Sequence, residues 1–117
     1  MSTFKKFEDM EVWESSQQLA EEVYTDFSTT KDRSFIDQIR RAVISISNNI
    51  AEGSERAGKA DFARFLDIAK GSAAEVRSMY HLSKRLKYLD EQTIQVRIEA
   101  CHSISKQLNA FAKYLRK

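Results

Sequence analysis

Residues 45–76, SISNNIAEGSERAGKADFARFLDIAKGSAAEV, join two amphipathic segments through a short polar connection that has a glycine on each side. Before the connection, apolar residues recur at spacings of three and four, so they share one face of a helix. They are Ile36, Ile39, Val43, Ile46 and Ile50. A second stripe follows the connection and contains Phe62, Phe65, Leu66, Ala69, Ala73, Val76 and Tyr80. Two helices joined this briefly pack antiparallel, so the stretch predicts a helical hairpin.

The three glycines of the chain all fall in or beside this hairpin. Gly53 is predicted at the position after the first helix, in the left-handed conformation that glycine adopts without a Cβ penalty. Gly58 is a permissible N-cap for the second helix. Gly71 lies inside that helix, where glycine costs about 1 kcal/mol relative to alanine. We therefore expect Gly71 to belong to a second contact face of the helix.

The rest of the chain extends this pattern to four helices. The absence of proline and the abundance of Ala, Leu, Glu, Lys and Arg favour a nearly all-helical protein. Helices are predicted over about residues 8–27, 35–52, 59–86 and from 91 onward, with Asp32 or Ser34 and Asp90 as N-caps. We predict an all-α fold, an antiparallel up-down-up-down four-helix bundle, in one domain covering residues 1–117.

Extra apolar positions predict self-association. The first helix turns Met10, Trp13, Ala20, Val23, Tyr24 and Phe27 inward, and Val12 and Leu19 widen this arc to about half of the circumference. Ile44 lies outside the main stripe of its helix, and a weaker apolar strip accompanies Gly71. The predicted oligomer interface consists of Ile44, Ile68, Gly71 and Leu82.

Charge is unevenly distributed along a chain whose net charge is only +2. Residues 1–30 have a net charge of −5, whereas residues 31–117 have a net charge of +7. The basic part either is a solvated surface beside the acidic first helix or binds nucleic acid. The candidates for nucleic-acid binding lie on the outer side and at the end of the third helix: Lys70, Arg77, Lys84, Arg85 and Lys87.

The sequence gives little indication of catalysis, of a cofactor or of a small-molecule substrate. A di-iron bundle needs two Glu-x-x-His pairs, and only Glu99 with His102 has that spacing. One polar group remains, with Asn49, Glu52, Arg56, Ser72 and Glu75. Its two glutamates are either an acid–base pair or, as we favour, part of a buried network that sets the helix register.

Cysteine usage and hydropathy predict a location. The single Cys101 cannot form an intrachain disulfide, and no stretch approaches the roughly 18 apolar residues of a membrane span. We therefore expect a cytoplasmic protein with no membrane partner.

Several motifs together resemble a known family. They are Asn49-Ile50-Ala51-Glu52-Gly53, Arg56, Phe62, Phe65-Leu66, Ala69, Gly71-Ser72 and Glu75, with Phe7 to Trp13 at the start and Leu108-Asn109 through Leu115 at the end. This pattern is similar to that of the four-helix bundle proteins encoded in intervening sequences of bacterial 23S ribosomal RNA genes, the S23 ribosomal protein family, to which the accessory variability determinant of diversity-generating retroelements is related.

The resemblance has implications for assembly and partners. It implies a ring-like homopentamer without catalytic activity, whose partner is RNA, a ribonucleoprotein or a reverse-transcriptase-type protein. The alternative is a purely structural protein–protein interaction module with no nucleic-acid role. Two positions depart from the family pattern: Gly58 stands where a serine N-cap is usual, and Lys87 where a loop glycine is frequent.

Overall fold

A computed structural model describes residues 6–117, so the first five residues of the predicted domain lie outside the described part of the chain. Four long helices follow a short 3-10 turn at Phe7–Asp9: α1 (Glu11–Asp26), α2 (Arg33–Ser54), α3 (Lys59–Arg85) and α4 (Glu91–Leu115). Among residues 6–117 there is no strand. The prediction of an all-α four-helix fold is confirmed, and the predicted helix bounds are wrong by no more than three residues.

The helices follow one another around the bundle. α2 packs between α1 and α3, and α4 packs against α3 and α1, so α1 and α3 are diagonal. Cross-helix hydrogen bonds give the direction of α3 relative to α2, because Gln38 bonds to Glu75 and Ser45 accepts from Ser72. Rising residue numbers on α2 thus face falling numbers on α3. The bundle measures about 50 × 20 × 20 Å.

Helix ends are capped largely as the sequence predicts. The Asp32 carboxylate accepts a 3.2 Å hydrogen bond from the Phe35 N–H, and Asp90 accepts a 2.9 Å bond from the Thr93 N–H. Gly58 is the N-cap of α3. These contacts satisfy amide groups that have no partner within the helix.

The end of α3 has left-handed backbone at Lys87, where φ is 61°. The Lys87 N–H donates to the Lys84 carbonyl at 3.1 Å, and the Tyr88 N–H donates to the Ser83 carbonyl at 2.9 Å. This pair of hydrogen bonds is a Schellman motif, a helix end that glycine usually occupies. Lys87 therefore places a side chain with a Cβ at a position that favours glycine.

The prediction for Gly53 was wrong. Gly53 lies inside α2, which continues to Ser54, and its φ is not positive. A Cβ built on Gly53 would lie 2.7 Å from the Phe65 Cβ and 2.9 Å from the Phe62 Cδ1. Glycine is required here because α2 and α3 approach each other closely just before the connection.

The core extends along the whole bundle, and its α1 side differs from the prediction. Val12 and Leu19, which were expected to widen the apolar arc, are buried core residues, whereas Tyr24 is 41% exposed. The core face of α1 is rotated relative to the expected one, so the width of its apolar arc is no evidence for self-association.

Among residues 6–117, the structure has no helix that combines the length and the hydrophobicity needed to cross a membrane.

Candidate functional site

The five residues predicted to form one polar network are divided among three separate groups. At the end of α2, Arg56 pairs with Glu52 at 3.0 Å and approaches Asp61 at 3.7 Å. Halfway along the α2–α3 interface, Asn49 donates to the Ser45 hydroxyl at 2.9 Å, and Ser72 donates to the same hydroxyl at 2.9 Å. Further along, Glu75 accepts from Gln38.

This division also excludes the alternative interpretation, in which Glu52 and Glu75 form an acid–base pair. Glu52 lies 14 residues from Gln38, the partner of Glu75, so roughly 20 Å of helix separates the two carboxylates. The Arg56 side chain is 45% exposed and stacks on the Phe65 ring, with 4.8 Å between the guanidinium carbon and the ring centroid. The prediction of one network was wrong because it was based on helical projection. Such a projection places residues on a face of a helix but does not give the register between two helices.

A partly buried network that was not predicted from the sequence joins three helices near the other end of the bundle. Arg97 of α4 contacts both carboxylate oxygens of Asp26, with its Nε and Nη2 donating at 2.7 Å and 3.0 Å. Its Nη1 donates to Glu22 at 3.3 Å, and the hydroxyl of Tyr80 donates to Asp26 at 2.7 Å. The hydrogen bond to Asp26 raises the pKa of Arg97, and burial followed by the hydrogen bond to Asp26 raises that of Tyr80.

One signal in the sequence pointed to this network. Tyr80 was predicted to be a core residue, and a buried tyrosine hydroxyl usually finds a hydrogen-bond partner. Arg97 also lies between Ile94 and Ile98 of the core stripe. The sequence could indicate that the Tyr80 hydroxyl needs a polar partner. It could not indicate that this partner is Asp26 of α1, which lies 54 positions earlier in the chain.

An aromatic cluster stands beside the network. The Phe27 ring lies 5.1 Å from Phe35 and 5.5 Å from Tyr80, and Phe35 lies 5.3 Å from Tyr88, all measured between centroids. The Tyr88 hydroxyl donates to Asp32 at 2.6 Å. This hydrogen bond is the main cause of the lowered pKa of Asp32 and of the raised pKa of Tyr88. The cluster and its two carboxylates fix the packing of this end of the bundle.

The described residues give little support for a nucleophilic cysteine or for a metal site. Burial raises the pKa of the Cys101 thiol to about 12, so at neutral pH it is not a thiolate nucleophile. Glu99 and His102 are exposed on α4. Within residues 6–117, no group of three His, Cys, Asp or Glu side chains is close enough together to hold a metal ion.

The four residues of the predicted oligomer interface lie in two patches. The α3 stripe contains Ile68, Leu82 and Leu86, exposed by 42%, 42% and 43%, and beside it a Cβ on Gly71 would meet no atom within 4 Å. Ile44, 39% exposed, lies on the opposite side of α2 from the α3 interface. It is one turn from Arg40, whose guanidinium lies 4.4 Å from the Tyr24 ring. Tyr24 and Ile44 form the second patch, the α1/α2 patch.

The predicted basic residues are placed at two positions along α3. Lys70 donates to Asn109 at 3.2 Å and Arg77 donates to His102 at 3.1 Å, so both lie at the interface with α4. At the end of α3, Lys84 pairs with Glu91 at 3.3 Å. Arg85 and Lys87 are exposed and have no acidic partner in the described part of the chain. The structure therefore does not bring the five cations together into one patch.

Comparison with known proteins finds matches to a family model and to solved structures. The family model described as 23S rRNA-intervening sequence protein matches residues 8–110. A crystal structure of a protein with unknown function from the S23 ribosomal protein family, from Bacteroides thetaiotaomicron, superposes with a TM-score of 0.82 at 26% sequence identity. The superposition covers 87% of this chain and 98% of that one. A search of the curated proteins finds no match.

Proposed function

This chain belongs to the 23S rRNA-intervening sequence protein family, and from this premise we propose that it is a non-enzymatic helical scaffold, a cytoplasmic ring of five copies that binds RNA through basic side chains. The observation that carries the assembly is the pair of exposed apolar patches on different sides of the chain, the α3 stripe and the α1/α2 patch.

Two different patches favour a ring over a twofold dimer. In a twofold dimer the same patch meets itself, whereas contact between two different patches leaves one of each free at the ends and adds copies until a ring closes. The α3 stripe would pack against Tyr24 and Ile44 of the neighbouring copy. The open space above Gly71 permits a neighbouring helix to approach the α3 backbone closely. The copy number of five is the one that the family resemblance implies.

Light scattering on two single variants tests this head-to-tail contact. We expect about five subunits for the wild type and monomers for both Leu82→Lys, which damages the α3 stripe, and Ile44→Lys, which damages the α1/α2 patch. Mixing the two variants should restore one intact contact and give a dimer that cannot grow. Gln95→Lys, at an exposed position outside both patches, is the control that keeps the wild-type mass. A wild-type monomer at micromolar concentration would contradict the proposed assembly.

RNA binding is proposed for the basic side chains of α3. The family is described by its relation to 23S rRNA, and Arg85 and Lys87 have charges that no described acid neutralises. Five copies in a ring would repeat each modest cluster and strengthen binding through avidity. Binding through phosphates weakens steeply with salt, so anisotropy of a labelled RNA should show an affinity that falls as salt rises. The double variant Lys84→Glu with Arg85→Glu should abolish binding and keep the assembly.

A second candidate function is a purely structural protein–protein interaction module. It is favoured by the contacts of Lys70, Arg77 and Lys84, which already bond to neighbouring side chains and therefore have fewer donors left for phosphates. If the wild type does not retain RNA even at low ionic strength, this second function replaces RNA binding, and the pentamer remains to be judged by light scattering alone.

A further inference from the structure

The C-terminal half of α4 differs in charge from the rest of the surface. Residues 100–117 contain no Asp or Glu, and their cations are Lys106, Lys113, Arg116 and Lys117. Arg116 is occupied, because it pairs with Asp67 of α3 at 2.5 Å. The three lysines are exposed and have no acidic partner within residues 6–117. Like Arg85 and Lys87 at the other end of the bundle, they are cations without an acidic partner among residues 6–117.

These three lysines form a track along the helix. Lys106 and Lys113 are seven residues apart, so they lie within about 20° of each other on α4 and roughly 10 Å apart along it. Lys117 follows two residues after the helix ends at Leu115. Lys70 of α3 extends the track sideways, because its Nζ donates to Asn109, which lies between Lys106 and Lys113. Lysines arranged in a row can contact successive phosphates of a nucleic-acid strand.

Tyr114 lies beside this track, and its aromatic ring is exposed to solvent. At 55% exposure it is the most exposed of the large hydrophobic residues that the structure describes. Its hydroxyl has no hydrogen bond and its ring has no ring partner in that part of the chain, whereas the hydroxyls of Tyr80 and Tyr88 both donate to carboxylates. One turn before Tyr114 is the small residue Ala110, so one side of the ring is uncovered. An exposed aromatic ring beside cations is a platform on which a nucleobase can stack.

Val96 shows that an exposed hydrophobic side chain on α4 does not always lie beside cations that lack an acidic partner. It lies 18 residues before Tyr114, which is five helical turns, and therefore on the same side of α4. It is 50% exposed, but its half of the helix contains Glu91 and Glu99. On α4, an exposed aromatic residue and cations without an acidic partner therefore coincide at the C-terminal end of the helix.

We propose that the C-terminal half of α4 binds single-stranded RNA, with Lys70, Lys106, Lys113 and Lys117 on the phosphates and Tyr114 stacked on an unpaired base. This inference rests on the proposed RNA-binding function, and it adds to the α3 cations a second surface, on α4, that distinguishes a single strand from a duplex. A duplex hides the faces of its bases inside the stack, so an aromatic platform distinguishes a single strand from a duplex.

Anisotropy with a labelled single-stranded RNA of about 12 nucleotides and its duplex, at low ionic strength, tests the proposal. We expect the wild type to prefer the single strand. Tyr114→Ala should weaken single-strand binding about tenfold, which lies within the usual contribution of one stacked base, and should leave duplex binding nearly unchanged. Tyr114→Phe keeps the ring and should bind as the wild type does, and Val96→Ala is the matched control. Lys106→Glu with Lys113→Glu should weaken the binding of both RNAs, because it replaces two phosphate-contacting cations by acids.

The outcomes separate this inference from the function on which it rests. If the wild type binds RNA but Tyr114→Ala binds both forms as well as the wild type does, RNA binding stands and the α4 surface is wrong. A change in subunit number for Tyr114→Ala in light scattering would assign Tyr114 to an intersubunit contact and overturn the inference as well. If the wild type binds neither RNA, the proposed function falls and the inference falls with it.

Discussion

The hydroxyl of Tyr80 donates a 2.7 Å hydrogen bond to the carboxylate of Asp26, which also receives two hydrogen bonds from Arg97. Tyr80 belongs to α3 and Asp26 is the last residue of α1, and these helices are diagonal in the bundle. The bond therefore crosses the bundle and is a link between two helices that do not pack directly. α1 is held in its place by this carboxylate in addition to its apolar face.

The first prediction concerns Asp26. Asp26→Ala leaves the largely buried Arg97 and the buried Tyr80 hydroxyl without their acceptor. Removing one partner of a buried ion pair typically costs about 3 to 5 kcal/mol, because the remaining charge stays in a poorly solvated place. Urea denaturation at a fixed protein concentration should show a loss of that size in the free energy of unfolding.

Arg56→Ala is the control for this measurement. Arg56 and Glu52 are both about half exposed, and an exposed pair contributes at most about 1 kcal/mol. Arg56 was predicted from the sequence to be a buried member of a network, but its side chain is 45% exposed. If Arg56→Ala proved as costly as Asp26→Ala, burial would not be what distinguishes the two ion pairs.

The fold was predictable because helical periodicity is a local property. The stripes of α2, α3 and α4 repeat at three and four residues, and the caps Asp32 and Asp90 stand at the expected positions. Each of these features depends on residues that lie within a few positions of one another.

Features that depend on two helices at once could not be predicted in the same way. The link between Asp26 and Arg97 joins residues 71 positions apart, and periodicity carries no information about which residues meet across an interface. The same limit explains Gly53, since its proximity to Phe65 is set by the crossing of α2 and α3. On α1, the apolar arc was so wide that its centre, and hence the core face, was not defined by the sequence.

The second prediction contrasts two glycines inside helices. Gly53→Ala should destabilise the protein by about 1 to 3 kcal/mol, because the new methyl group would overlap Phe65 and Phe62 in a packed interface. Gly71→Ala should instead stabilise each subunit by up to about 1 kcal/mol, since its Cβ meets nothing and alanine favours the helix. Thermal denaturation of both variants tests this. Equal effects would mean that helix propensity, and not the close approach, decides the result at Gly53.

The third prediction concerns pH. The hydrogen bond from Tyr88 and that from the Phe35 N–H hold the pKa of Asp32 below its ordinary value of 3.8. A carboxyl whose pKa is lower in the folded state stabilises the protein above its unfolded pKa, and the contribution is lost as pH falls through the folded pKa. Asp32→Asn lacks this titration. The stability difference between wild type and Asp32→Asn should therefore be constant between about pH 5 and about pH 7, on the order of one to three units above the ordinary pKa, and it should shrink below about pH 4. A difference that stays constant down to pH 2 would contradict the lowered pKa.

The last prediction concerns the end of α3. Lys87 has a φ of 61° in the Schellman motif, and the left-handed conformation costs a residue with a Cβ about 1 to 2 kcal/mol. Lys87→Gly removes that strain but increases the entropy of the unfolded chain, so we expect a net stabilisation of about 1 kcal/mol. Lys87→Ala removes the same charge and keeps the Cβ, so it should leave stability nearly unchanged. Denaturant midpoints for the three proteins separate the two causes: a gain shared by glycine and alanine would mean that the lysine charge, rather than the backbone conformation, is unfavourable at this helix end.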